Sequence, residues 1–536
     1  MSYDISEKEW RVVGPPGCGK THWLQRHVQS AVSKHGPTSV YVWSLTKAAA
    51  KEAASRDLGI PEENVSTLHS CAWRAIGRPK LTHDKEVIGE WNKRNPLLPV
   101  QAHVDWDEPA YGQPFQDDLT NAPHEYSMLR CRMIPRELWP DRVRPFAAKW
   151  EAFKAETETI DYVDMIERAL MEVDRPPGRP VATFCDESQD MDRLQLALVR
   201  SWGRHTQKTI FIGDPFQNLY EWRGTDADAF DEGHVKPDQR LVLSQSYRVP
   251  RAVHAVAVEW LKHSNKKNTD AYHPRNEDGE VRQLDCQAEY PYSLLRDLEP
   301  YLAAQKRIMV LTSCNRHLSR VLAVLQEGGI PFHNPYRTKH GGWNLFQNNK
   351  RALAYLATGG DDAPARLWTW HELSLWTEHL SVDGIMVHGA KARIKNVCED
   401  KKRSQTEVTP TELSEIFLPD TVQVGDLDWL FAHRTAGGGK SLGYLANIVR
   451  ARGAQALKQT PKVIVGTIHS VKGGEADVVY LFPNLPLPGW RAWNEKSTKE
   501  FDALIRLYYV GITRARETLI VCRQKSKLSI PADLLT

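Results

Sequence analysis

From Arg11 to Lys34 the chain passes through Arg-Val-Val-Gly-Pro-Pro-Gly-Cys-Gly-Lys-Thr into a helical pattern, a local sequence that permits few folds. Arg11-Val12-Val13 reads as a short strand. Trp23, Leu24, Val28, Ala31 and Val32 then recur at helical spacing until His35-Gly36-Pro37 ends the run. Between them Gly14, Pro15, Pro16, Gly17, Cys18, Gly19, Lys20 and Thr21 fit the phosphate-loop pattern G-x-x-x-x-G-K-[ST]. In such loops backbone N–H groups wrap the phosphates, the lysine reaches the β/γ-phosphates and the hydroxyl binds Mg²⁺. The phosphates are then expected at a helix N-terminus. A second glycine cluster, Gly437-Gly-Gly-Lys440-Ser441, imitates the tail of the pattern, but Arg434 stands at the first glycine position and no apolar strand leads in. It reads as a linker.

A nucleotide hydrolase also needs an acid to hold its metal. Val181-Ala-Thr-Phe-Cys185 is an apolar run ending in Asp186-Glu187-Ser188-Gln189-Asp190, so these carboxylates emerge at a strand's C-terminal end, where open α/β sheets bind ligands. Asp186, with Thr21, is the candidate Mg²⁺ ligand, and Glu187 the candidate base for the attacking water. Thr209-Ile-Phe-Ile212 leads into a segment carrying Gln217, Tyr220, Trp222 and Arg223. Gln217 is placed to sense a γ-phosphate, while Tyr220 and Trp222 are candidates for stacking on bases. Far downstream, Arg248 and Arg514 are candidates for gripping the phosphates from a second lobe, the logic of a motor.

These segments, in their order, resemble the superfamily 1A helicases of the UvrD/Rep/PcrA type over most of the chain. Ser44-Leu-Thr46-Lys47 is similar to motif Ia, Val65 to Ser70 to motif Ib, and Ile160-Asp161-Tyr-Val-Asp164 to the acidic segment preceding motif II. Asp186 to Asp190 resembles motif II, Gly213 to Gly224 motif III, Ser246-Tyr247-Arg248 motif IV, Val465 to Glu475 motif V, and Arg506 to Arg516 motif VI. The resemblance implies an α/β fold of two RecA-like P-loop NTPase lobes with parallel sheets, each carrying an inserted mainly helical or loop-rich subdomain. It implies that Tyr247 stacks on adenine, Arg248 and Arg514 point at the γ-phosphate, and Glu475 contacts the ribose. Single-stranded DNA is then held by Thr46, His69, Tyr220, Trp222, Arg223 and His469. ATP with Mg²⁺ drives 3′ to 5′ movement, and tailed duplexes are unwound. Three departures stand out: Met1 to Trp10 contains no Gln to read adenine, Ser44 replaces the usual aromatic with Trp43 beside it, and Gly474 replaces a leucine.

Length and composition bound the rest. A chain of 536 residues exceeds one ordinary core, and 41% hydrophobic residues suffice for several. No apolar run approaches ~20 residues and no secretion signal is evident, so a cytoplasmic, monomeric motor core without a membrane span is expected. The eight cysteines show no C-x-x-C pair, and Cys314 with His317 reads as packing. The net charge of +3 decides nothing about nucleic acid, because a near-neutral total can conceal a basic stripe.

Spacing predicts a first lobe from 1–76 and 151–238, a loop-rich insertion at 77–150, a second lobe from 239–340 and 461–536, and a second insertion at 341–460. Leu241-Val-Leu is assigned to the second sheet. Trp368, Trp370, Trp376 and Trp429 in the second insertion read as a small core rather than as base contacts; the basic runs around Lys391 and Lys401 stay open between phosphate contacts and a solvated face. Only Arg523 to Thr536 follow the last predicted strand, so no fused nuclease is expected. Three alternatives accompany the helicase reading: a translocase or motor subunit of a nuclease or defence complex with little unwinding alone, a nucleotide-switched binding module, and an RNA helicase.

Overall fold

The computed structural model describes residues 8–44, 58–100, 121–233, 235–267, 270–358, 366–435, 440–496 and 498–536. Two compact units emerge: Met1–Val281 with Leu485–Thr518 and Leu534–Thr536, and Arg282–Asn484 with Leu519–Asp533. Among the described residues no helix is long and apolar enough to cross a membrane.

The first unit holds, in chain order, β1 (Glu9–Val13), β2 (Val40–Ser44), β3 (Val65–Thr67), β4 (Lys80–Leu81), β5 (Thr159–Ile160), β6 (Ala182–Cys185), β7 (Lys208–Gly213) and β8 (Arg240–Val242). Six of them form one sheet in the order β3-β2-β6-β7-β1-β8, and every pairing is parallel. Parallel sheets are covered on both faces, which is why these strands read as continuous apolar runs. Alternate residues divide between two core layers. Val12, Val42, Phe184 and Ile212 pack with Leu24 and Val28 of the helix Lys20–His35. Val13, Trp43, Cys185 and Phe211 pack on the opposite side with Leu194, Leu198 and Trp202 of the helix Arg193–Gly203.

Two expectations are corrected here. The Leu241 strand belongs to the first sheet, pairing Val12 with Leu241, and Leu243 N–H extends the ladder to Val13 O at 2.8 Å. A short apolar run does not encode which sheet it joins. The described part of the first insertion is helical rather than loop-rich, with helices Lys85–Arg94, Ala122–Cys131 and Arg144–Glu156. An aromatic core of Trp91, Tyr126, Trp139, Phe146, Trp150 and Phe153 outweighs the local breakers; the punctuators between 101 and 120 lie outside the described residues.

The second sheet contains β9 (Glu280–Asp285), β10 (Ile308–Thr312), β11 (Phe332–His333), β12 (Val463–Thr467), β13 (Ala476–Leu481) and β14 (Ala515–Arg523), in the order β11-β12-β10-β13-β14-β9. Its β11-β12-β10-β13 stretch is parallel. The fold is therefore α/β with two parallel sheets of RecA-like type. In the second unit Trp368, Trp370, Trp376 and Trp429 are buried around Tyr355, so these tryptophans are core. Several neighbouring cations are structural: Lys391 Nζ donates to Leu380 O at 2.7 Å, and Arg393 pairs with Glu415. Cys314 Sγ and His317 Nδ1 lie 3.5 Å apart as a packing pair. Gly437 to Gly439 lie outside the described residues.

Candidate nucleotide site and strand-contact residues

The loop that follows β1 needs its glycines for both shape and space. Gly17 and Gly19 have φ of 77° and 74°, in the region that favours glycine. A Cβ on Gly17 would stand 2.5 Å from Arg248 Cβ and 2.7 Å from Ser246 Oγ. The motif IV segment is thus pressed against the phosphate loop and fastened there. Ser246 Oγ donates to Pro16 O at 2.9 Å, Tyr272 OH donates to the same oxygen at 3.2 Å, and Tyr247 N–H donates to Gly17 O at 2.8 Å. The Tyr247 ring lies 3.8 Å from where a Cβ of Gly19 would be and is 70% exposed, an aromatic face beside the loop. Lys20 Nζ donates to Gly14 O at 2.5 Å, so the ammonium sits at the loop's rim. Burial pushes the Cys18 thiol up to about 12, leaving it a neutral packing group.

Beyond β6 the acidic segment turns abruptly. Glu187 adopts φ 52°, a left-handed conformation that is uncommon for a residue with a side chain and is characteristic of functional turns. Its carboxylate is fixed: Gln189 Nε2 donates to Glu187 Oε2 at 2.6 Å. Gln189 Oε1 in turn accepts from Asp214 N–H at 3.1 Å, Gln217 Nε2 donates to Asp214 Oδ2 at 2.7 Å, and Arg514 Nη2 donates to Gln217 Oε1 at 3.3 Å. A single path of hydrogen bonds thereby joins the candidate base to the candidate arginine, entirely within the first unit. Burial pushes the Asp214 carboxyl up against the pull of the Lys20 ammonium. Arg514 is 1% exposed and is anchored by Nε donating to Val510 O at 3.0 Å.

Gln189 and Asp214 carried no role in the sequence reading, although both stand inside the motif segments. Their signal was position alone, because a hydrogen-bond partner across three loops leaves no local pattern. Arg248 follows β8 of the first sheet and Arg514 directly precedes β14 of the second sheet, and both fall in the compact unit that holds the loop. Glu475 lies in the second unit, where Arg307 Nη2 stands 3.9 Å from its carboxylate.

Thr21 and Asp186 fit a magnesium ion by chemistry, being a hydroxyl and a carboxylate at a helix start and a strand end. Among the described residues no group of three acidic, histidine or cysteine side chains forms a metal cage. Nucleotide-borne Mg²⁺ does not need one, since it takes one or two protein oxygens together with phosphates and water.

The strand-contact candidates separate into three fates. Thr46 lies outside the described residues. Trp222 and Arg223 occupy a short, half-buried turn, Glu221–Arg223, and the Arg223 charge acts on His69, whose imidazole burial, the larger cause, drives down to about 4. His69 is therefore neutral at physiological pH, able to exchange hydrogen bonds but not to act as a cation. Tyr220 and His469 are corrected: each is 4% exposed, with Tyr220 stacked under the Arg223 guanidinium at 5.2 Å, so neither ring offers a face to a base. Trp43 is wholly buried against Trp202 and fills the core rather than a surface pocket.

A glycine-lined loop after β1, an acid pair at the end of β6 two strands away in the same parallel sheet, and two arginines in the same compact unit define a P-loop nucleotide hydrolase. Residues 2–223 match the family model described as an AAA domain, and residues 440–526 match the UvrD-like helicase C-terminal domain. A probable DNA helicase II homolog of Mycoplasma pneumoniae is 21% identical over 589 residues, covering 94% of this chain and 80% of the relative. The ATP-dependent DNA helicase PcrA of Staphylococcus epidermidis is 21% identical over 607 residues, covering 96% and 81%. The chain belongs to the UvrD-like helicases of superfamily 1.

Proposed function

We propose that this protein is an ATP-dependent DNA helicase that couples ATP hydrolysis to 3′ to 5′ movement on single-stranded DNA and to the unwinding of tailed duplexes. The observation that carries the reading is the hydrogen-bonded path from Glu187 through Gln189, Asp214 and Gln217 to Arg514. It couples the group that takes a proton from water to the group that neutralises the phosphoryl. Lys20, Arg248 and Arg514 supply positive charge, and arginines so placed are worth ~10³ to 10⁵ in rate. Thr21 and Asp186 would hold Mg²⁺, which would supply charge neutralisation at the phosphate oxygens. Tyr247 packs on the base. Trp222 supplies the stacking face for a base, while His69 and Arg223 beside it contact the strand.

ATP hydrolysis measured with and without single-stranded DNA tests this reading, with Lys20→Ala as the blank. Strong stimulation that vanishes in the blank is expected; hydrolysis indifferent to any strand would overturn it. Duplexes with a 3′ or a 5′ tail then separate a helicase from a translocase, and only the 3′-tailed duplex is expected to be opened.

A further inference from the structure

Motif V departs from the family at Gly474, and the second unit shows what occupies the space. A Cβ on Gly474 would stand 2.4 Å from the Tyr336 hydroxyl oxygen and 2.6 and 2.9 Å from ring carbons Cζ and Cε2. The ring of Tyr336 therefore lies in the volume that any larger side chain at 474 would claim. The turn bearing this ring is tied to motif V by one buried side chain. Asn334 Nδ2 donates to Val465 O at 2.8 Å and to Ser470 Oγ at 3.2 Å, while Asn334 Oδ1 accepts from Tyr336 N–H at 3.0 Å. A Cβ on Gly466 would collide with the same pair, 2.2 Å from Ser470 Oγ and 2.6 Å from Asn334 Nδ2. Two glycines thus make room for this turn to dock.

His469, the strand contact expected from motif V, is buried, and burial first, then Lys472 and Arg337, drives its imidazole down to about 3. Both cations therefore lie near the same loop. Tyr336 is 37% exposed, and Arg337 Nη1 donates back to Tyr336 O at 3.1 Å. An exposed ring on an anchored turn, next in sequence to Arg337 and packed on the motif V loop that carries Lys472, has the chemistry of a single-strand platform, in which bases stack on aromatics and phosphates meet Lys and Arg.

We propose that Tyr336 is a base-stacking residue for single-stranded DNA, presented beside motif V in the surface position that His469 does not reach, with Arg337 and Lys472 on the adjoining phosphates. The proposal rests on the helicase reading and adds a contact in the second unit to it. The test uses the intact chain and a fluorescein-labelled oligo(dT), read by anisotropy. Tyr336→Ala is expected to weaken binding about tenfold, while Tyr336→Phe, which keeps the ring, stays within about twofold of the parent. Gly474→Leu is expected to weaken binding by driving the ring out of place, and adding it to Tyr336→Ala should cost nothing more. In the parent protein, irradiation of an oligomer carrying 5-iodouracil should place a covalent adduct on Tyr336. Unchanged affinity in Tyr336→Ala, equal losses in the Phe and Ala variants, or adducts mapping only elsewhere would each overturn the assignment. A parent protein that binds no single strand at all would instead overturn the helicase reading itself.

Discussion

At the scale of single residues the site depends on how Glu187 is held. A carboxylate on a left-handed residue has its direction set by the backbone, and Gln189 removes the remaining freedom. Glu187→Gln is expected to lower the turnover of ATP by ~10² to 10⁴, the usual worth of a positioned base, while single-strand binding persists. Gln189→Leu should lower kcat with KM for ATP nearly unchanged, since it releases the base without touching the loop. Steady-state hydrolysis of both variants checks this. A different carboxyl, Asp192, governs a pH effect. Burial first raises it to about 6 from an ordinary 3.8, outweighing the hydrogen bond from Gln195 N–H. Its folded pKa exceeds its unfolded one, so the folded state binds the extra proton and stability falls as pH rises through that window. Asp192→Asn keeps the helix cap and removes the titration, so its Tm should vary less than the parent's between those two pH values.

Among the elements, the helix Tyr162–Glu172 shows how motif and insertion are joined. Asp161 and Asp164 form a capping box at its start, and the same carboxylates receive Arg130 and Lys154 from two helices of the first insertion. Burial on its own would raise the Asp161 carboxyl, but Arg130 and Lys154 hold it below the ordinary carboxylate range. Breaking such a buried cluster from one side leaves a charge unpaired and costs about 3 to 5 kcal/mol. Arg130→Met is accordingly expected to lower the denaturation midpoint markedly, with m unchanged if the fold stays two-state, as urea titration would report. The acidic pattern at Asp161 was visible in the sequence, but not the helix it caps. Its partners were not, because Arg130 and Lys154 sit on helices whose positions only the aromatic core of the insertion decides. In the same way the apolar run at Leu241 announced a strand without saying which sheet it extends.

For the molecule as a whole, the ordered motifs disclosed two parallel α/β sheets and the segments that build the candidate site. What they did not disclose is how the chain is shared out. Arg248 and Arg514, far downstream in the chain, lie in the compact unit that holds the loop, although Arg514 leads directly into a strand of the second sheet. The tie from Trp260 Nε1 to Ile505 O at 2.8 Å and the contact of Arg506 Nε with Asn218 O at 3.2 Å are long-range bonds of that kind, invisible to any local pattern. Lys20→Ala is expected to abolish strand-stimulated hydrolysis while preserving strand affinity, measured side by side on one preparation; loss of both would contradict the division of roles between loop and strand contacts.

The arginine that completes the site also fixes when the site can exist. Ribosomes add ~5 to 20 residues each second, so Arg514 emerges tens of seconds after Lys20. A nascent chain therefore carries a finished phosphate loop and acid pair for most of its synthesis while lacking the group that Gln217 awaits. On the roles proposed above, such a chain is expected to lack the complete machinery for hydrolysis until translation has passed motif VI.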